Sequence, residues 1–288
     1  IYQRSLCFLM VVAAQELYPD ARMVIDHSLT LNGLYCEVRG RELFTEEEIE
    51  RLEKRMRESV AENAPIGKER MPLQQAVEMF KKQGYDDKVR LLNYRHKDYL
   101  AVYSLHNVRD YFYGYMVPST GYLSLFALQP YPPGLILRFP RRYEPNKLPP
   151  FRDSPKLATV FREYRHTMEL MGIEDVGTLN QVIEMCRMRE AILVNEALHE
   201  HRISEIAGTI ASCRGQKRLV LIAGPSASGK TTFAKRMAVQ LLVHGVRPIA
   251  LGLDDYFLDR ERTPKDAQGN YLFEELQALD LKLFNQQL

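Results

Sequence analysis

Residues 221–235, LIAGPSASGKTTFAK, constrain the fold of this chain more than any other stretch. They fit the pattern GxxxxGK[ST] without a mismatch, from Gly224 to Thr231. In front of the pattern stands a short continuous apolar run, RLVLIAG at 218–224, of the kind a buried parallel strand shows. Behind it Phe233, Met237 and Leu241 recur at helical spacing, and Gly245 follows as a stop. A strand that delivers a glycine-rich turn into a helix N-terminus aims several backbone N–H groups at one point, where the helix dipole adds partial positive charge. Such a point holds phosphate. Gly224, Pro225, Ser226, Ala227, Ser228, Gly229, Lys230, Thr231 and Thr232 are therefore the expected nucleotide-binding residues. Lys230 is placed for the β and γ phosphates of ATP, and the Thr231 hydroxyl is a hard oxygen ligand for the accompanying Mg²⁺.

A second apolar run, within RPIALGLDDYFLDR at 247–260, ends in the paired carboxylates Asp254 and Asp255. Ligands of open α/β sheets sit beyond the carboxyl ends of the strands, so both carboxylates are expected beside the loop. There, either one of them takes a proton from an attacking hydroxyl or both help to hold Mg²⁺. The sequence DAQG at 266–269 satisfies the loose DxxG pattern of GTPases, but no apolar strand precedes it and it reads as a turn. A loop of this kind opens a domain of roughly 150–200 residues, whereas 288 − 232 = 56 residues follow Thr232. The expectation is the first part of an α/β domain, which on its own binds phosphate weakly, does not turn over and leaves strand edges open to pairing.

With 45% apolar residues, the 288-residue chain can bury a large core, and its length predicts about two domains. Lys and Arg number 39 against 37 Asp and Glu, and the net charge of +2 gives no global reason for a nucleic-acid partner. Cys7, Cys36, Cys186 and Cys213 lack CxxC spacing and read as buried, reduced thiols of a cytoplasmic protein. The run LCFLMVVAA at 6–14 is too short to span a membrane and flows on without a cleavage site, so it reads as a buried helix. Ile at position 1 reads as the start of a fragment. Thr45 and Glu48 form a capping box ahead of Ile49, Leu52, Met56 and Val60, which share one helical face. From 99 to 139 the runs YLAVYSL, YFYGYMV, YLSLFAL and LILRF alternate with Asn, Gly and Pro clusters, which predicts an antiparallel sheet flanked by helices. Five prolines between 139 and 155 mark a boundary. Ser154 as N-cap and Pro155 then open a helix with Leu157, Phe161, Tyr164 and Met168 on one side, which stops at Gly172; a second long helix is expected over 178–212. His199 and His201 lie on that helix, two residues apart and on different faces, and make no site. The expected organisation is an α+β domain at 1–150, a helical linker at 151–214 and the first part of an α/β domain with a parallel sheet at 215–288.

The rear segment resembles the uridine kinase and phosphoribulokinase branch of P-loop kinases. In that branch a strand ends in a motif like D-S-F-Y, whose Asp is the catalytic base, and a later F-x-F-D segment helps to form the nucleoside pocket. DDYF at 254–257 is similar to the first motif, which implies Asp254 as base and Asp255 at the serine position. YLFEELQALD at 271–280 is similar to the second, with Tyr271, Phe273, Glu274 and Asp280 at the matching places. The resemblance thus implies Lys230 and Asp254 as catalytic residues, Thr231 and Asp254 as Mg²⁺ ligands, and Asp255, Tyr256, Phe257, Tyr271 and Phe273 towards the substrate.

The first 150 residues resemble the second additional domain of threonyl-tRNA synthetases, which alanyl-tRNA editing proteins share. VVAAQELYPDARMVIDHSLTLNGLYCEV, RELFTEEEIERLEKRMRESVAENAPI and VPSTGYLSLFAL carry the likeness. Kinases of the uridine kinase type fused behind such a domain form a bacterial group that the whole chain resembles; a small TGS domain, often present further upstream in that group, is not in this sequence. The editing proteins use an HxxxH pair and a CxxxH pair as their site. Here the matching positions are Arg4 and Phe8, then Phe112 and Met116. Those side chains do not reproduce an N/S zinc site, so neither zinc nor hydrolytic editing is expected. Tyr111, Phe112, Tyr113 and Tyr115 are placed either to stack on bases, with Arg138, Arg141 and Arg142 on phosphates, or to pack a sheet under a solvated basic rim. The expected function is Mg²⁺- and ATP-dependent phosphoryl transfer to a hydroxyl of a nucleoside-like small molecule. The alternative is a nucleotide-controlled module that senses tRNA or a threonine-related ligand without small-molecule kinase activity. No membrane partner is expected, and self-association is left open.

Overall fold

The structure, a computed structural model, describes residues 1–29, 33–273 and 275–288. These form two compact units, 1–188 and 189–288.

In the front unit the elements run α1 (Tyr2–Leu17), β1 (Arg22–Leu29), β2 (Gly33–Arg39), α2 (Glu46–Glu62), β3 (Gly67–Pro72), α3 (Leu73–Lys82), α4 (Asp86–Leu92), β4 (Tyr99–Leu105), β5 (Val108–Tyr111), β6 (Ala127–Tyr131), β7 (Gly134–Arg138), α5 (Pro155–Leu170) and α6 (Val176–Glu184). Two antiparallel sheets result, ordered β1-β2-β7-β6 and β3-β4-β5. The apolar run of α1 is explained by its position, because residues Ser5 to Ala14 are all buried. They meet Ile49, Leu52 and Met56 of α2, Leu34 and Cys36 of β2, Tyr103 and Leu105 of β4, and Leu135 and Leu137 of β7. The capping box of Thr45 and Glu48 is present, and Val60 packs at the edge of the same core. Alternation along β4 sends Leu100 and Val102 the other way, onto Ala76 and Phe80 of α3 and Leu92 of α4.

The strand expectation over 99–139 holds for YLAVYSL and LILRF but not for the two runs between them. β5 stops at Tyr111, and 112–126 is irregular apart from a single bridge of Ser119 to Pro65 and a 3-10 turn at Thr120–Tyr122. Gly114 takes a left-handed φ of 89° and its carbonyl accepts from the Tyr103 hydroxyl, so the chain turns inward and Phe112 packs against the α1 core without joining a ladder. The apolar residues are core residues; the period is not that of a strand. β1 and β3 were hidden for the opposite reason, since charged side chains interrupt RMVIDHSL and GKERMP, and β1 carries an irregularity between Ile25 and His27.

The proline-rich stretch leads into helices that pack on the front unit. Leu157 of α5 packs against Leu29, Tyr35 and Ile136 on the back face of the first sheet, and the Phe161 ring stacks on His27 with centroids 3.8 Å apart. α6 is tied to α4 by Arg90 and Asp175 at 3.0 Å. The long helix expected over 178–212 is two helices, because Cys186 takes a left-handed φ of 57° and ends α6; α7 (Met188–Ser212) follows.

The rear unit holds most of α7, then α8 (Lys230–Val243) and α9 (Leu281–Gln287). Ile203 and Ala207 of α7 pack against Met237 and Leu241 of α8 in a small core. The parallel sheet expected here is not formed among the described residues: 217–225 and 246–252 are irregular and join no ladder. A parallel strand is stable when neighbours pair with it and helices cover both faces. In this unit Leu219, Val220, Leu221, Ile249 and Leu251 are exposed instead. Isolated bridges, Phe257 to Leu279 and Lys265 to Tyr271, are the β pairings described there.

Candidate phosphate-binding loop

The glycine-rich turn and the helix behind it are formed as the spacing requires. Ala227 and Gly229 take left-handed φ values of 58° and 83°, the Ser228 N–H donates to the Pro225 carbonyl at 3.3 Å, and Gly229 is the N-cap of α8. The first intrahelical bond runs from the Phe233 N–H to the Gly229 carbonyl at 2.9 Å. The N–H groups of 229–232 therefore have no partner inside the helix, which is what makes a helix start an anion site. Lys230 Nζ donates to the Gly224 and Pro225 carbonyls, both at 2.9 Å, so the ammonium lies across its own loop. Gly224 lets the loop close tightly: a Cβ there would stand 2.7 Å from Ser228 Oγ, which would have to rotate away. Thr231 and Thr232 are exposed on the first turn of α8. An anion with several acceptor oxygens fits this set of N–H donors and the ammonium beside them.

The other expected site residues divide. Asp254 and Asp255 are exposed on a 3-10 turn, Leu253–Tyr256, and no hydrogen bond or ion pair among the described residues joins them to the loop. Tyr256 is turned inward, contrary to a place at a substrate: its ring meets Phe284 edge-on at 5.1 Å and its hydroxyl donates to Gln287 Oε1 at 2.5 Å. Phe257 is half-exposed beside it. Tyr271 and Phe273 stack at 5.5 Å, with the Lys265 ammonium 4.4 Å and the Arg260 guanidinium 5.1 Å from the Tyr271 ring. Neither cation was singled out from the sequence, because the spacing from Tyr271 is irregular. Glu274 lies outside the described residues. Asp280 caps α9 by accepting from the Leu283 N–H at 3.0 Å, a structural duty. DAQG is a turn, closed by the Asp266 carboxylate on the N–H groups of Gln268 and Asn270 at 2.9 and 2.8 Å.

In the front unit the four positions that the editing proteins use as a site converge. Phe8 and Phe112 meet with centroids 5.4 Å apart, Met116 packs on the same core, and Arg4 Nη1 donates to the Tyr115 carbonyl at 2.8 Å. In this chain Phe8, Phe112 and Met116 serve the core and Arg4 is held by backbone. Beside it Tyr113 and Tyr115 stay 82% and 71% exposed, and Lys68 Nζ stands 4.4 Å from the Tyr115 ring. Lys68 was not singled out, although its place opposite Tyr103 in the β3–β4 register follows once β3 is known.

No protein-family model matches the chain. Just under half of it is similar to threonine–tRNA ligases. Identity is 34% over 130 residues with that of Acidithiobacillus ferrooxidans, 33% over 129 residues with that of Marinobacter nauticus and 30% over 128 residues with that of Francisella tularensis. The matches cover 44–45% of this chain and 20% of each relative, so the chain spans about one fifth of the length of these ligases. A match of 128 residues or more exceeds the 100 residues of 189–288, so the ligase-like segment enters the front unit. Its antiparallel sheets and helices agree with the α+β domain expected there.

Proposed function

We propose that the chain belongs to a Mg²⁺- and ATP-dependent kinase that transfers a phosphoryl group to a hydroxyl of a nucleoside-like small molecule. The observation that carries the reading is the turn at 224–231, bent by two left-handed residues into the N-terminus of α8 with its lysine across the loop. ATP supplies the phosphoryl group and Mg²⁺ part of the neutralising charge when they are bound. The N–H groups of 229–232 hold phosphate oxygens, and Lys230 Nζ leaves two loop carbonyls for the phosphate charge. Thr231 Oγ1 and the Asp254 carboxylate are the metal ligands of this reading. Asp254 also accepts the proton of the attacking hydroxyl, and Asp255, Phe257, Tyr271 and Phe273 face the acceptor.

The test is ADP release by the full-length gene product with ATP, Mg²⁺ and a panel of nucleosides, pantothenate, ribulose 5-phosphate and tRNA. One small acceptor should stimulate release, and Lys230→Ala and Asp254→Asn should each lower it about a hundredfold or more. Release that no small molecule stimulates, or that survives Asp254→Asn, would sink the kinase.

A second reading has its own support in the exposed rings of Tyr113 and Tyr115 with the Lys68 ammonium above one of them, in a unit reached by the ligase similarity. In it the front unit binds tRNA and the loop makes that binding nucleotide-dependent. Salt-dependent tRNA binding that Tyr115→Ala weakens, with a change in ATP affinity, is the outcome that selects it. A cytoplasmic location goes with either reading; no helix among the described residues is long and apolar enough to cross a membrane.

A further inference from the structure

A cleft of about 240 Å³ lies in the front unit between the C-terminal end of α4, the end of β5 and α6, lined by Leu91, Leu92, Tyr94, Arg95, Tyr111 and Asn180. Its polar groups are unevenly committed. Arg95 Nε donates to the Tyr99 carbonyl at 2.9 Å, which fixes the plane of the guanidinium. Its two Nη groups have no protein partner among the described residues, and the same holds for the Tyr111 hydroxyl and the Asn180 amide. The neighbouring Arg90 is by contrast already paired with Asp175. Tyr94 spends its hydroxyl on Glu184 at 2.7 Å and so offers the cleft its ring. What remains is a donor-rich edge with a fixed positive charge, set among two leucines and two tyrosine rings. A guanidinium edge with its Nε occupied matches a planar pair of acceptor oxygens, and the rings match a flat apolar body.

We propose that this cleft is a binding site for a small carboxylate with a planar apolar body, its oxygens on the Nη edge of Arg95 and its body against Tyr94 and Tyr111. The Asn180 amide and the Tyr111 hydroxyl select for a polar substituent on that body. The cleft is built from residues of the front unit alone, and the proposal does not depend on the kinase reading.

The probes are benzoate and its neutral isostere benzamide, added at millimolar concentration to the full chain and followed by saturation transfer and by amide shifts. Benzoate should shift residues 91–95, 111 and 180, and benzamide should bind about tenfold more weakly because the charge-assisted pair is lost. Arg95→Gln should abolish the discrimination between the two. Asn180→Leu, which breaks no side-chain hydrogen bond among the described residues and narrows the cleft, should weaken both probes and serves if Arg95→Gln fails to fold. Equal binding of the two probes, discrimination that survives Arg95→Gln, shifts confined to 226–232, or no binding of benzoate at all would each overturn the proposal.

Discussion

Thr45 Oγ1 accepts from the Glu48 N–H at 3.2 Å while the Glu48 carboxylate accepts from the Thr45 N–H at 3.1 Å, so two donors that α2 cannot satisfy itself are satisfied by side chains. Thr45→Ala should lower stability by about 1 kcal/mol, read as a lower urea midpoint with the slope unchanged. The Thr45 N–H, helped by Arg41 at 2.7 Å, holds the Glu48 carboxyl below its ordinary value of 4.5. A lowered carboxyl stabilises the fold above that ordinary value, and the contribution is lost as pH falls through the lowered one. The stability gap between the natural chain and Glu48→Gln should therefore close on acidification from about pH 7 to about pH 3; a constant gap would remove charge from the account. The thiols separate just as sharply. Burial pushes Cys7 up to about 12 and Cys36 higher still, whereas Cys186 is exposed and Cys213 partly so. A thiol reagent at about pH 8 should label Cys186 and Cys213 in the folded chain and reach Cys7 and Cys36 on unfolding; early labelling of Cys36 would contradict the packing.

Helices were more legible than strands, for physical reasons visible in particular segments. α2 announces itself by a cap and one apolar face, and α8 by the glycine before it and Gly245, at φ 74°, after it. β5 and β6 were obscured because Phe112, Met116 and Phe126 serve the core from an irregular chain, and alternation does not record that. β3 carries Lys68, Glu69 and Arg70 in a row; its pairing with β4 is a tertiary fact. Ladders also impose demands that composition does not show. At the start of β7, a Cβ on Gly134 would stand 2.2 Å from the Cys36 carbonyl and 3.0 Å from the Tyr35 hydroxyl, both on β2. Backbone cannot yield as a side-chain end does. Gly134→Val should cost about 3 kcal/mol, and an unfolding free energy within about 0.5 kcal/mol of the natural chain, the spread of a neutral surface change, would show that the β2–β7 pairing is loose.

The two units differ in how far they bury what their sequences offer. In 1–188 the apolar faces of both sheets and of α1 and α2 are covered, which is why the α+β character of the front was readable from pattern alone. In 189–288 the loop and its helix were legible from eight residues, because backbone N–H geometry and Gly224 answer to local rules. The sheet that should flank them was not, because a parallel strand is defined by its neighbours. Residues 218–223 and 247–253 keep the composition of buried strands, yet Leu221 is 79% and Ile249 87% exposed. Unpaired backbone flanked by exposed aliphatic side chains is a template for pairing with another chain. Sedimentation at rising concentration should accordingly show self-association of the 288-residue chain. Leu221→Lys together with Ile249→Lys should reduce it, since charges on an edge oppose strand addition. The same pair should leave the melting of the front unit unchanged, because neither residue contributes to its cores. Nucleotide binding provides the contrasting arm: Lys230→Ala should weaken ATP and leave association as it was. Association that persists in the double lysine variant would place the sticky surface elsewhere, with the exposed Val239, Leu242 and Val243 of α8 as the next apolar face to mutate.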